Sequence, residues 1–337
     1  MLVRSFNKGV IMSSPNSNLP NLNNRIEEFI LNLEKEDLLP LYEMTPQNAR
    51  GFFEEIQRKF HKNIEAEIED KVLLTSNTGA VSVRVVRPKG NYEKLPVIIY
   101  AHGGGWIIGS KETHDMLVRT ISNKVKAVVV FVEYSLAPEY QFPTQLEQIY
   151  AVCKYVYNNS EEFNVDKDKM IIAGDSAGAN MAIVVAIKAN EDKDDVESPK
   201  FIFQCLFYPV TNFDMDTKSY DDFKNGPWLS KKAMQWFCES YAPEKTLWET
   251  YYVSPIKATE DVLNGLPPAL IITDENDVLR DEGEAYARKL DMAGVEVTCC
   301  RINGTIHDFL VLNSLYDTFQ TQCAIDLACS AMKFALE

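Results

Sequence analysis

Six short runs of aliphatic and β-branched residues recur between positions 96 and 302: PVIIYA, AVVVFVEY, KMIIAG, FIFQCLFY, PALIITD and VEVTCCRI. Each is apolar almost throughout, as a strand must be when both of its faces are covered. Most are separated by stretches long enough for a helix, and that alternation admits few architectures. The expected fold class is α/β, a mostly parallel central sheet flanked by helices. Two earlier runs, VLLT from Val72 and VSVRVV from Val81, are expected to add an antiparallel edge.

Before any strand, Ile26, Phe29, Ile30 and Leu33 fall at helical spacing, and Thr45-Pro46 supplies an N-cap and a first-turn proline for a second helix. One later segment breaks the strand–helix rhythm: residues 210–254 hold Trp228, Trp236 and Trp248, many charges and no strand pattern. It is expected to be a helical insertion packing with the N-terminal helices. The expected division is therefore a disordered start (1–24), N-terminal helices (25–64), a core in two pieces (65–209 and 255–337) and the insertion (210–254). Residues 13–24, SSPNSNLPNLNN, have the composition of an unfolded segment, and Met12 offers an alternative to Met1 as the start.

A net charge of -15 repels phosphate backbones and anionic lipid surfaces, so nucleic acid is not an expected partner. No run of about 18 uncharged apolar residues is present, nor an apolar stretch of secretory length near Met1, so neither a membrane span nor an export signal is expected. The seven cysteines (Cys153, Cys205, Cys238, Cys299, Cys300, Cys323, Cys329) lack metal-ligand spacing and any Cys-x-x-Cys. They read as reduced, buried thiols, no metal is expected, and the cytoplasm is the expected location.

Chemistry enters at GDSAG, residues 174–178, which stands between the strand run KMIIA and the apolar helical run ANMAIVVAIKAN. A chain of this length matches Gly-x-Ser-x-Gly by accident roughly one time in ten, but strand–motif–helix is the context a nucleophile elbow requires. Such a turn presents Ser176 at a helix N-terminus, where the dipole favours a developing anion. A base must then follow in the chain. Of His61, His102, His114 and His307, only His307 lies beyond both the serine and a strand that offers an acid. Asp274, Glu275 and Asp277 after ALIIT all qualify as that acid by spacing, while Asp281 reads as the cap of the helix EGEAYARKL.

A second feature is HGGGW, residues 102–106, three glycines where a strand ends. Glycine costs roughly 0.5–1 kcal/mol relative to alanine in ordered structure, so a reason in the backbone is called for. Phosphate loops need a Gly-x-Gly-x-x-Gly or a Lys-Ser/Thr ending, and neither is present.

HGGGW, EYSLAPEYQFP, GDSAG, DVLRDEG and GTIHDF, in this order, resemble the hormone-sensitive-lipase-like family of α/β-hydrolases, in particular its bacterial acetyl-esterase-like carboxylesterases. The resemblance runs from about residue 45 to the end of the chain. It implies an α/β-hydrolase fold with a helical cap, and a serine esterase that hydrolyses small acyl esters of short chain without metal or organic cofactor. It selects Asp277 as the acid beside Ser176 and His307. It also implies that Gly104, Gly105 and Ala177 offer backbone N–H groups to the oxyanion, with His102 and Asp175 in structural support and His114 in a structural role. Trp106 and Tyr208 are candidates for the substrate pocket and equally for plain core.

Two departures stand out: Asp308 where the family has a small residue after its histidine, and Ser135 where it often has arginine. A carboxylate beside His307 is expected to favour the imidazolium and raise the acidic limb of the pH–rate profile. Ser135 is expected to affect local packing only. Two other readings share the motifs. One is a hydrolase-fold ligand receptor, as in a plant hormone receptor of the family that lacks the histidine. The other is an amidase or deacetylase using the same triad. Oligomeric state is open, a homodimer being among the options.

Overall fold

The computed structural model describes residues 21–36, 39–75 and 78–337. Most of the start expected to be disordered, residues 1–20, lies outside these. Residues 21–24 are held in place: the Asn23 side chain caps the first helix, and its N–H donates to the Gly304 carbonyl at 2.9 Å.

Helices α1 (Asn24–Lys35) and α2 (Pro46–Lys59) come first, and Thr45 caps α2 by accepting from the Asn48 N–H. Strands β1 (Ala66–Thr75), β2 (Gly79–Pro88) and β3 (Leu95–Ala101) follow, then α3 (Asp115–Val125), β4 (Val128–Glu133), α4 (Thr144–Asn158), β5 (Val165–Asp175) and α5 (Ala177–Glu191). After β6 (Phe201–Phe207) come two helices without a strand between them, α6 (Lys218–Asp222) and α7 (Lys231–Tyr241). The chain closes with α8 (Glu260–Leu263), β7 (Ala269–Asn276), α9 (Arg280–Met292), β8 (Val297–Ile306) and α10 (Phe319–Leu336). Among the described residues, no helix is long and apolar enough to cross a membrane.

The eight strands of the described residues form one sheet in the order β1-β2-β4-β3-β5-β6-β7-β8. β1 and β2 pair antiparallel, β2 meets β4 antiparallel, and every other pair is parallel. The central strands carry the core. Val128, Val129, Val130, Phe131 and Val132 of β4 are all fully buried, as are Val97 to Ala101 of β3. Truncating one of them, such as Ile98 to Ala, is expected to cost ~2–5 kcal/mol.

Register gathers five strand ends. Ala101 is level with Gly174, Asp175 with Phe207, and Asn276 with Ile306. The loops that follow β3, β5, β6, β7 and β8 therefore open at one edge of the sheet, where ligands bind in α/β folds.

Two expectations need correction. The cysteines are all free, but Cys299 and Cys323 are exposed and Cys300 half-buried. β8 is the edge strand with an open face, and Cys323 lies on the outer side of α10, so apolar surroundings in sequence did not mean burial. Nor does Asp281 cap α9. It sits in the first turn, where its carboxylate accepts from the Ser219 N–H at 2.8 Å and from Arg280.

Candidate active site

Ser176 stands between β5 and α5 with φ 52° and ψ -120°, a conformation a non-glycine residue adopts only under strain. Its N–H donates to the Phe207 carbonyl at 2.8 Å, which fixes the turn against β6. The flanking glycines are steric necessities. A Cβ on Gly178 would lie 2.1 Å from the Ala101 carbonyl oxygen, and one on Gly174 2.6 Å from the same atom. The helix thus starts pressed against the end of β3.

His307 follows the last residue of β8 and Asp277 the last residue of β7. The Asp277 carboxylate accepts from His307 Nδ1 at 2.8 Å and from the Leu279 N–H at 3.1 Å. His307 Nε2 lies 2.9 Å from Ser176 Oγ. All three side chains are buried. Of the acids that spacing left open, Asp277 is the one in contact with the ring, and Glu275 instead accepts from the Gly304 N–H at 2.6 Å. Burial disfavours the charged ring, but the carboxylates of Asp277 and Asp308 outweigh it and push the His307 pKa up to about 9.

The glycine loop owes its composition to Asp175 and to its own turn. A Cβ on Gly103 would fall 2.1 Å from Asp175 Oδ2, and Gly104 has φ +101°. Asp175 Oδ1 accepts from the Gly103 N–H at 3.0 Å and from the Tyr100 hydroxyl at 2.8 Å, while Oδ2 faces His114 Nε2 at 3.3 Å. Burial alone would raise its pKa, yet His114 and these donors hold it below the ordinary value. His102 donates from Nδ1 to the Gly103 carbonyl at 2.7 Å and stacks on Tyr134. Burial, with His114 beside it, takes its pKa down to about 3 and keeps it neutral.

With the loop so braced, the N–H groups of Gly104 and Gly105 donate to no acceptor among the described residues. The Ala177 N–H opens α5, so it is one of the helix's free first-turn donors.

Trp106 is fully buried and stacks on Tyr241 of α7 at 4.4 Å, with Phe213 beside it. The Phe237 ring lies where a Cβ on Gly105 would be. Tyr208 is buried too, its ring edge-on to His307 at 4.8 Å. Ser135 bonds Gln148 through both its N–H and its hydroxyl. His61 faces Asp115 at 3.0 Å.

Sequence reasoning missed several residues that hold this arrangement. Asn180, one turn into α5, donates to the carbonyls of Val210 and Val253 and so clamps both ends of the segment that carries α6 and α7. Glu282 accepts from the Thr211 and Asn212 N–H groups. Gln57 of α2 donates to the carbonyls of Thr113 and Val311, tying that helix to the loop of His307. Arg50 likewise donates to Ile107 and Ala137 carbonyls around the glycine loop. Asp308 accepts from Trp228 Nε1 at 2.9 Å and lies 3.5 Å from His307 Nε2, and Trp228 in turn packs on Phe29. Only the Asp308 departure had left a local signal. Among the described residues, Asp274, Asp277 and His307 form the one group with metal-ligating atoms mutually within 4.8 Å, and two of those residues already bond each other.

A family model for the α/β-hydrolase fold matches residues 98–311. A protein of Acanthamoeba polyphaga mimivirus named as an α/β hydrolase is 41% identical over 313 residues, 93% of this chain and 88% of its own. The carboxylesterase NlhH of Mycobacterium tuberculosis is 34% identical over 247 residues, 73% of this chain and 76% of its own. A solved structure of a thermostable esterase from Pseudomonas putida superposes with a TM-score of 0.92 and 38% identity, over 95% of this chain and 99% of that one. Topology, elbow and relatives agree, and the chain belongs to the α/β-hydrolase fold family, on its hormone-sensitive-lipase-like branch.

Proposed function

We propose that this α/β-hydrolase is a serine carboxylesterase acting on short-chain acyl esters. The observation that carries the reading is the unbroken chain from Asp277 through His307 to Ser176 Oγ, at 2.8 and 2.9 Å. Ser176 Oγ attacks the ester carbonyl as His307 Nε2 takes its proton. Asp277 holds the ring in the tautomer that leaves Nε2 free to do so and stabilises the imidazolium. The carbonyl oxygen becomes an anion facing the N–H groups of Gly104, Gly105 and Ala177. His307 then protonates the leaving alcohol, and water resolves the acyl-enzyme with the same groups in reverse.

Residues 25–64 and 210–254 act as the cap over the site in this reading. Its aromatic side chains, Phe213, Phe237 and Tyr241, crowd the glycine loop and favour small acyl groups. The relatives are a carboxylesterase and an esterase, which supports the reaction class. Seven free thiols suit a reducing compartment such as the cytoplasm.

A fluorophosphonate probe tests the reading against a non-catalytic receptor of the same fold. Rapid stoichiometric labelling that maps to Ser176 is expected; a receptor without a working triad leaves the chain unlabelled. An acyl-length series of p-nitrophenyl esters then tests the substrate class, with acetate and butyrate expected well ahead of long-chain esters.

A further inference from the structure

Asp274 lies near the end of β7, fully buried, and neither of its carboxyl oxygens has a hydrogen-bond partner among the described residues. An apolar residue would avoid that cost, since an unpaired buried polar group is destabilising and an unpaired buried charge far more so. The carboxyl is nonetheless aimed into the site: one of its oxygens, one oxygen of Asp277 and a ring nitrogen of His307 all lie within 4.8 Å of one another.

We propose that Asp274 is a reserve acid for His307, a positioning residue able to accept the ring Nδ1 proton when Asp277 cannot. The proposal rests on the triad reading above. Titratable groups face Asp274 from each neighbouring element: Asp277 from the turn after β7, His307 and Asp308 from the loop after β8, and Tyr208 from the end of β6. Burial, then the charges of Asp277 and Asp308, hold Asp274 well above the usual carboxylate range and so protonated. Removing the charge of Asp277 lifts the repulsion from its nearest acidic neighbour. Burial still favours the proton, and the bond from the ring Nδ1–H is what offsets it, so that Asp274 gives its proton to solvent and becomes the carboxylate beside the imidazole. In the native protein Asp277 makes the bond, and Asp274 stays neutral.

The test compares the native chain with Asp274→Asn, Asp277→Asn and the double variant. Kinetics on p-nitrophenyl acetate are read as kcat/KM against pH, and the downfield His307 Nδ1 proton is followed by NMR. An asparagine in place of a lone triad acid costs ~10⁴-fold. Here Asp277→Asn is expected to lose only about 10²-fold, and adding Asp274→Asn to remove at least a further tenfold, more than Asp274→Asn removes from the native chain. In the Asp277→Asn background, Asp274→Asn should also move the acidic limb to lower pH and abolish the downfield proton. Neither change is expected in the native background. Equal rates, limbs and spectra for Asp277→Asn and the double variant overturn the proposal. The NMR readout is independent of turnover, so a failure of the esterase reading, seen as turnover that survives Ser176→Ala, is told apart from a failure of this one.

Discussion

Asp175 and Asp274 are the same residue type, equally buried, at the ends of β5 and β7 with only β6 between them, yet they are in opposite states. Asp175 has the Gly103 N–H, the Tyr100 hydroxyl and His114 around it, and its pKa falls. Asp274 has no hydrogen-bond partner among the described residues and two acidic neighbours, and its pKa rises. Burial is common to both, so the partners decide the charge. On one side of the elbow an ionised carboxylate braces the glycine loop. On the other, a neutral one waits beside the histidine.

The largest effect is expected on the satisfied side. Asp175→Ala leaves His114 Nε2 and the Tyr100 hydroxyl unpaired in the interior and is expected to cost ~3–5 kcal/mol in urea unfolding, as broken buried networks do. Gly103→Ala attacks the same contact from the other end, because its Cβ would collide with the carboxylate. Displaced oxyanion donors should lower kcat by ~10²–10³-fold, with KM little altered. A Gly103→Ala enzyme with native kcat would break the link between Asp175 and the loop.

The unsatisfied side is sharpened by pH. A folded-state pKa above the unfolded one means that the native state holds more protons, so stability falls as pH rises past the unfolded value near 4. Asp274→Asn removes that fall, and its urea midpoint should gain on the native one between pH 4 and 7, by ~1–2 kcal/mol in stability. Asp175 has the opposite sign: its stabilisation is present above the unfolded pKa and is lost as pH falls. A gain from Asp274→Asn that is equal at both pH values would show that the carboxyl is not held neutral by the fold.

The smallest effect concerns Asp308, whose carboxylate helps to push His307 up to about 9. The base must be neutral to act, so activity should rise with pH through that value. Asp308→Gly is expected to move this acidic limb to lower pH by roughly one unit or less. An unmoved limb in a kcat/KM profile would mean that Trp228 holds the carboxylate without electrostatic consequence at the ring.

These comparisons also show where the sequence was readable. Eight strands followed from apolar runs and α2 from Thr45-Pro46, because burial on two faces and helix capping leave local marks. The elbow was visible because close packing against Ala101 admits only glycine at positions 174 and 178. Spacing could not separate Asp274 from Asp277, since whether a carboxylate meets His307 depends on where β7 stops and its side chain turns. Asn180, Glu282 and Gln57 were invisible for a related reason. Their partners are brought to them by the fold, and a lone polar residue in a helical run carries no sign of a distant carbonyl. The order of strands, with β2 beside β4, is likewise a tertiary outcome.

The central claim is that Ser176 Oγ is the nucleophile, and the most direct measurement is the turnover of p-nitrophenyl acetate and butyrate by Ser176→Ala. The account predicts a fall in kcat of ~10⁵–10⁶-fold with the fold intact, as for loss of the serine in a comparable triad. A Ser176→Ala chain that keeps its full activity would contradict it.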